Sequence, residues 1–154
     1  MSNSTINLDL KKKDEDFGAY NEQRVLAYLK KKSPYITDAK YKYAILDFYK
    51  IKNNQIVKYY EVKARRYSIH FKGIQEDGIA YGANKWVKAK KCIDNGIPVI
   101  FYFLMTDGLY RWTLRDYEKQ SNEWSFAPFG NKKRNDKMKK GIFIDVKYLE
   151  LVDK

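Results

Sequence analysis

Nine consecutive residues, "IPVIFYFLM" at 97–105, carry no charge and show no alternation between apolar and polar positions. A run of this length reads as a buried strand. It is too short to span a bilayer. With the segments around it, the order helix, hairpin, helix, strand points to a layered α/β arrangement around a mixed sheet. "EDFGAYNEQRVLAYLKKK" (15–32) reads as a helix with acids in its first turn and lysines in its last, stopped by "SP". "KYKYAILDFYKI" (40–51) and "IVKYYEVKA" (56–64) read as strands joined at "KNNQ" into a hairpin. "ANKWVKAKKCIDNG" (83–96) reads as a helix with Gly96 as its stop. "GLYRWTL" (108–114) reads as a strand, and "GIFIDVKYLEL" (141–151) as a final strand or strand plus turn. The pattern of 65–82 does not choose between a short strand and an excursion. The expected fold class is α/β, a central mixed sheet flanked by helices, with residues 1–14 as a flexible tail and 15–154 as a single domain.

Charge narrows the partners. Lys and Arg number 31 against 19 acids, a formal net charge of +12, which favours a polyanion, and nucleic acid before a membrane. One Cys (Cys92) and one His (His70) in 154 residues make neither an internal disulfide nor a structural zinc site, so a reducing interior is expected, and with no apolar h-region behind the N-terminal charges a soluble cytoplasmic protein.

The chemistry is expected in the first helix and the hairpin. Glu22 falls within the apolar stripe of Gly18, Val25, Leu26 and Leu29, where a carboxylate needs a cation, a metal or hydrogen bonds. Asp47 interrupts the apolar strand "YAILDFY", although Asp is disfavoured in strands. On the next strand Tyr59, Glu61 and Lys63 share one face and Tyr60 and Val62 the other. If Glu22 and Asp47 face the same spot as Glu61, three carboxylates converge beside one lysine. Oxygen ligands of this kind suit Mg²⁺ or Mn²⁺. The acid-x-Lys pattern occurs four times, at Asp9 and Lys11, Asp38 and Lys40, Glu61 and Lys63, and Asp145 and Lys147. Only at Glu61 and Lys63 does an acid-bearing strand precede it and a helix plus a buried strand follow.

A helical glutamate, a strand aspartate, Glu-x-Lys on the adjoining strand, then a helix and a core strand resemble the PD-(D/E)XK nuclease superfamily, with its restriction-endonuclease-like and junction-resolvase-like members. The similarity covers residues 15–105 in the order of elements, and Leu46 stands where a proline would precede the aspartate. It implies an αβββαβ core and a Mg²⁺-dependent endonuclease that hydrolyses DNA phosphodiester bonds, structure-directed or weakly sequence-specific. Asp47, Glu61 and the Val62 carbonyl would bind the ion. Glu22 would ligate it, hold a second ion or act through water. Lys63 would orient the attacking water or stabilise charge on the phosphate; as a proton acceptor it is disfavoured, because neighbouring carboxylates raise a lysine's pKa. Arg65, Arg66, Lys85, Lys88 and Lys91, together with Lys132, Lys133 and Arg134 in the basic loop "GNKKRNDKMKKG", are the expected DNA contacts; Lys85 or Lys88 is also a candidate to reach the site itself. DNA is the expected partner, a homodimer an open option. His70 is expected to be structural or exposed, and Trp86, Trp112 and Trp124 to be core. The reading from another class is a non-catalytic nucleic-acid-binding protein of the same fold.

Register provides a geometric expectation. A two-residue turn at Asn53-Asn54 sets Asp47 opposite Tyr60, whereas a three-residue loop through Gln55 sets it opposite Glu61. The metal site therefore requires the second pairing, or a β-bulge that restores it.

Overall fold

The first helix, α1, runs over Leu8–Lys32, in a computed structural model that describes residues 8–38, 46–112, 125–129 and 139–154. Residues 8–14, expected as a loose tail, form its opening turns. Ion pairs of Lys11 with Glu15 and Lys12 with Asp16, at 3.9 and 3.8 Å, lie one turn apart along it. Asp14 pairs with Arg66, whose guanidinium lies 4.3 Å from the centre of the Phe17 ring, so this end of the helix is tied to the body of the protein. The buried face comprises Asn21, Val25, Leu26 and Leu29. Asn21 was not expected there. Its amide is satisfied locally, donating to Phe17 O at 2.8 Å and accepting from Arg24 at 3.1 Å.

The remaining elements are β1 (Ile36–Asp38), β2 (Phe48–Lys52), β3 (Gln55–Ala64), α2 (Lys72–Asp77), β4 (Ile79–Gly82), α3 (Ala83–Asp94), β5 (Val99–Met105), β6 (Gly108–Trp112), β7 (Ser125–Phe129), β8 (Lys139–Ile144) and β9 (Leu149–Asp153). Six strands make a mixed sheet in the order β1-β2-β3-β5-β6-β9, and β4-β8-β7 make a second sheet. Among the described strands only β3 and β5 pair in parallel, which requires a crossover, and α2, β4 and α3 supply it. α3 ends as expected: Gly96 has φ +87°, and Gly96 and Ile97 donate to Ile93 O and Cys92 O, a Schellman closure.

The apolar run becomes β5, covered on both faces. On one side Val25, Leu26 and Leu29 of α1 pack with Phe48, Tyr60, Val62 and Tyr102. On the other, Trp86 and Ala89 of α3 and Ile79, Tyr81, Ile142 and Ile144 of the second sheet pack with Val99, Phe101 and Phe103. Phe101, Trp86 and Trp112 form an aromatic cluster with ring centres 4.9–6.0 Å apart, so Trp86 and Trp112 are core; Trp124 lies outside the described residues. No described helix is long and apolar enough to cross a membrane.

Three expected strands differ. Of 40–51 the strand is present from Phe48, and 39–45 lie outside the described residues. The expected strand at 108–114 is described to Trp112. The stretch 141–151 divides between β8 and β9, which join different sheets. A 3-10 turn at Val146–Tyr148 separates them, with the Asp145 carboxylate accepting from Lys147 N at 2.9 Å; this acid-x-Lys pair is a local cap.

The second sheet meets its closest constraint at Gly78, with φ +89°, where an added Cβ would lie 2.6 Å from Ile144 O. Gly78→Ala should cost at least about 2 kcal/mol through backbone strain and displacement of β8. Gly18→Ala, with nothing within 4 Å in the middle of α1, should be neutral or stabilise by up to about 1 kcal/mol. Urea denaturation of both variants checks the pair, and equal stabilities would contradict this packing.

Candidate active site

Asn53 and Asn54 turn the hairpin with φ of 53° and 60°, the left-handed pair of a two-residue type I′ turn, which asparagine tolerates. Lys52 therefore pairs with Gln55 and Ile51 with Ile56. Left alone, this register would put Asp47 on the wrong face. Between Ile51 and Lys50 it shifts by one residue, so that Lys50 pairs with Lys58, Tyr49 with Tyr59 and Phe48 with Tyr60. Val57 is the extra residue of a β-bulge. Asp47, one residue before Phe48, thus falls level with Glu61. The three-residue loop through Gln55 is not formed, and the alternative, a β-bulge, restores the pairing.

β3 outruns β2 at this point. β2 begins at Phe48, opposite Tyr60, while β3 continues to Ala64. Tyr59 N and Arg65 N donate toward β5, to Pro98 O and Leu104 O, both at 2.9 Å, so the backbone of Val62 faces the opposite edge. With no ladder partner there, Val62 N–H donates to Asp47 Oδ2 at 2.7 Å. The Val62 carbonyl shares this edge. Asp47, Glu61 and Val62, named from the sequence as one ligand set, are brought together.

Glu61 is only 1% exposed. Lys63 Nζ stands 3.3 Å and Lys85 Nζ 3.7 Å from its Oε1, yet neither carboxylate oxygen has a well-aligned hydrogen bond among the described residues. Its pKa is raised to about 7, chiefly by burial, which Lys63 opposes, Asp47 assists and Lys85 opposes. Burial likewise lowers Lys63, assisted by the charge of Lys85 and opposed by Glu61. This reverses the sequence argument about Lys63, which counted the carboxylates and not the desolvation of the amine. Lys85, entering from the first turn of α3, is held above its ordinary value: burial lowers it, but Glu61, Lys63 and the carboxylates of Asp47 and Glu22 prevail.

Other expected residues are more distant or otherwise engaged. Glu22 is half-buried on α1 and contributes to the field at Lys85, but among the described residues no three His, Cys, Asp or Glu side chains form a metal-binding group. Arg65 turns inward and donates to Ala64 O at 3.1 Å and Ala80 O at 3.0 Å, clamping β4 to the end of β3. Arg66 is exposed and bound to Asp14. Lys88 and Lys91 are exposed on α3. Lys132, Lys133 and Arg134 lie outside the described residues. His70 is exposed, 3.9 Å from Asp107. Sequence reasoning missed Tyr81, which β4 directs into the core between the two sheets, fully buried, with no partner for its hydroxyl among the described residues. Burial first, then the carboxylates of Glu61 and Asp47, raise its pKa. It lies in the stretch whose periodicity is undecided, so nothing in the pattern gave it a face.

No protein-family model matches the chain, and neither do any curated protein or solved structure.

The raised Glu61 has a testable consequence. Its folded pKa of about 7 lies above the ordinary 4.5, so the fold binds this proton more tightly than the unfolded chain does. The associated stability is complete below pH 4.5 and is lost as pH rises through 7. With EDTA present, the stability of the parent relative to Glu61→Gln should fall by on the order of 2–3 kcal/mol between those limits. Denaturant titrations across that range measure it, and a flat difference would show that the carboxylate is not desolvated.

Proposed function

We propose that the chain is a divalent-metal-dependent endonuclease that hydrolyses DNA phosphodiester bonds, built on a restriction-endonuclease-like core. The observation that carries this reading is the bulge-corrected hairpin, which sets Asp47 level with Glu61 at the edge where β3 outruns β2. The donor set fits a hard ion. Two carboxylates and one carbonyl are all oxygen, and Mg²⁺ or Mn²⁺ held by few protein ligands retains several waters. A buried carboxylate lacking aligned hydrogen bonds is also the group that a divalent cation would stabilise most. When bound, the ion would lower the pKa of a coordinated water and neutralise charge on the scissile phosphate.

The side chains have separate tasks. Asp47 is oriented by its Oδ2 contact with Val62 N–H, which leaves Oδ1 to ligate. Lys63 and Lys85, both directed at Glu61 Oε1, present positive charge where a phosphate oxygen or the attacking water would lie. Glu22 would act through water or a second ion. Arg66, Lys88 and Lys91 supply exposed positive charge for the DNA backbone, and the net charge of +12 supports salt-sensitive binding. The core expected of this superfamily is supported by α1 against one face of the main sheet and α3 against the other.

Purified protein incubated with linear, branched and single-stranded DNA should cut at least one substrate with Mg²⁺ or Mn²⁺ and none with EDTA. Lys63→Ala should reduce cleavage by about 100-fold or more while DNA affinity in EDTA changes by less than about 2-fold, because the lysine acts on the transition state and the surface supplies affinity. A parent that binds DNA and cuts none of the three would replace the nuclease with a non-catalytic binding protein.

A further inference from the structure

Three buried side-chain oxygens have no hydrogen-bond partner among the described residues: Glu61 Oε1, Glu61 Oε2 and Tyr81 Oη. Buried tyrosine hydroxyls ordinarily find a partner, because leaving one unpaired is costly. Tyr81 is held rigidly. It is fully buried in β4, and its ring meets Phe101 edge-on at 5.6 Å with an interplanar angle of 87°. Phe101 is the residue of β5 that pairs with Glu61, so the Tyr81 ring stands over the strand beside the carboxylate. Four residues later, in the first turn of α3, comes Lys85, whose Nζ is one of the two cations on Glu61 Oε1.

The neighbouring cations cannot accept what Tyr81 offers. Lys63, Lys85 and Arg65 are donors only, and Arg65 is already turned to Ala64 O and Ala80 O. A protonated phenol in this position seeks an oxygen acceptor. Both lysine contacts of Glu61 run to Oε1, and among the described residues neither Oε1 nor Oε2 has a hydrogen bond.

We propose that Tyr81 is a positioning residue of the site, its hydroxyl donating a hydrogen bond to a water held by the divalent ion at Asp47 and Glu61. The inference rests on the metal-dependent reading above and adds a contact from the second sheet. Tyr81 forms no bond to substrate and gives up no proton. It orients the water, and β8 positions Tyr81 through the pairing of Tyr81 with Ile142.

The test is Tyr81→Phe, which removes one oxygen and keeps the ring against Phe101. Without metal, the variant should melt at the same temperature as the parent or higher, because an unpaired buried hydroxyl has been removed. Calorimetric Mn²⁺ affinity, or kcat for DNA cleavage at unchanged KM, should fall by about 10-fold. Parent-like Mn²⁺ affinity together with parent-like kcat would overturn the proposal. So would a lower metal-free melting temperature, which would mark the hydroxyl as bonded within the fold. If the parent binds Mn²⁺ and cuts no DNA, the nuclease reading fails while Tyr81 still stands or falls on the Mn²⁺ affinities; a parent that binds no Mn²⁺ overturns both.

Discussion

Burying a carboxylate in the middle of a sheet costs several kcal/mol unless cations or hydrogen bonds offset it, and Glu61, at 1% exposure, is where this fold accepts that cost. Much of the surrounding structure can be understood as a response. Lys63 follows two residues later on the same face, and Lys85 arrives from the helix that starts as soon as β4 ends. Neither completes the solvation of the carboxylate. The result is a group poised near neutrality, its proton retained by burial and resisted by two amines. A group balanced in this way responds strongly to any further charge brought close to it.

The hairpin and the core hold that arrangement for different reasons. The two-asparagine turn favours one register and the proposed metal site needs the other, and the extra residue at Val57 reconciles them within a single strand pair. Beyond the bulge, the early end of β2 leaves Val62 N–H without a ladder partner, and the Asp47 side chain takes its place. The catalytic candidate is thus also a structural cap. Behind it, the two-sided burial of β5 fixes β3 from the other edge, with Glu61 paired to Phe101 and Lys63 to Phe103. Those phenylalanines belong to the core on the face that Glu61 and Lys63 share.

What the sequence made legible follows its periodicities. The buried β5, α3 with its glycine stop, and the shared face of Glu61 and Lys63 were readable because runs, caps and two-residue alternation are local signals. The bulge was one of two alternatives that the sequence left, the other a three-residue loop, because a two-residue turn conflicts with pairing Asp47 and Glu61. The start of α1 was not, since Leu8–Asp14 carry mixed charges and owe their order partly to Arg66, fifty-two positions from Asp14. The second sheet was hidden for a related reason: β4 is four residues long and its partner β8 lies near the other end of the chain. The lowered pKa of Lys63 was also beyond reach, because sequence places the carboxylates around it but not the depth at which the amine is buried. Asn21 shows the same limit, its amide satisfied by the turn of helix around it.

The pairing of β4 with β8 has a consequence for the order in which the protein matures. During synthesis the segments bearing Asp47, Glu61, Lys63 and Lys85 leave the ribosome well before residues 139–144, yet β4 makes its strand contacts with that late segment. Until it arrives, Ile79 and Tyr81 lack the cover of Ile142 and Ile144, and the environment that desolvates Glu61 is incomplete. The nascent chain therefore carries these groups without the cover of β8, and the burial that surrounds Glu61 is complete only once β8 has paired with β4.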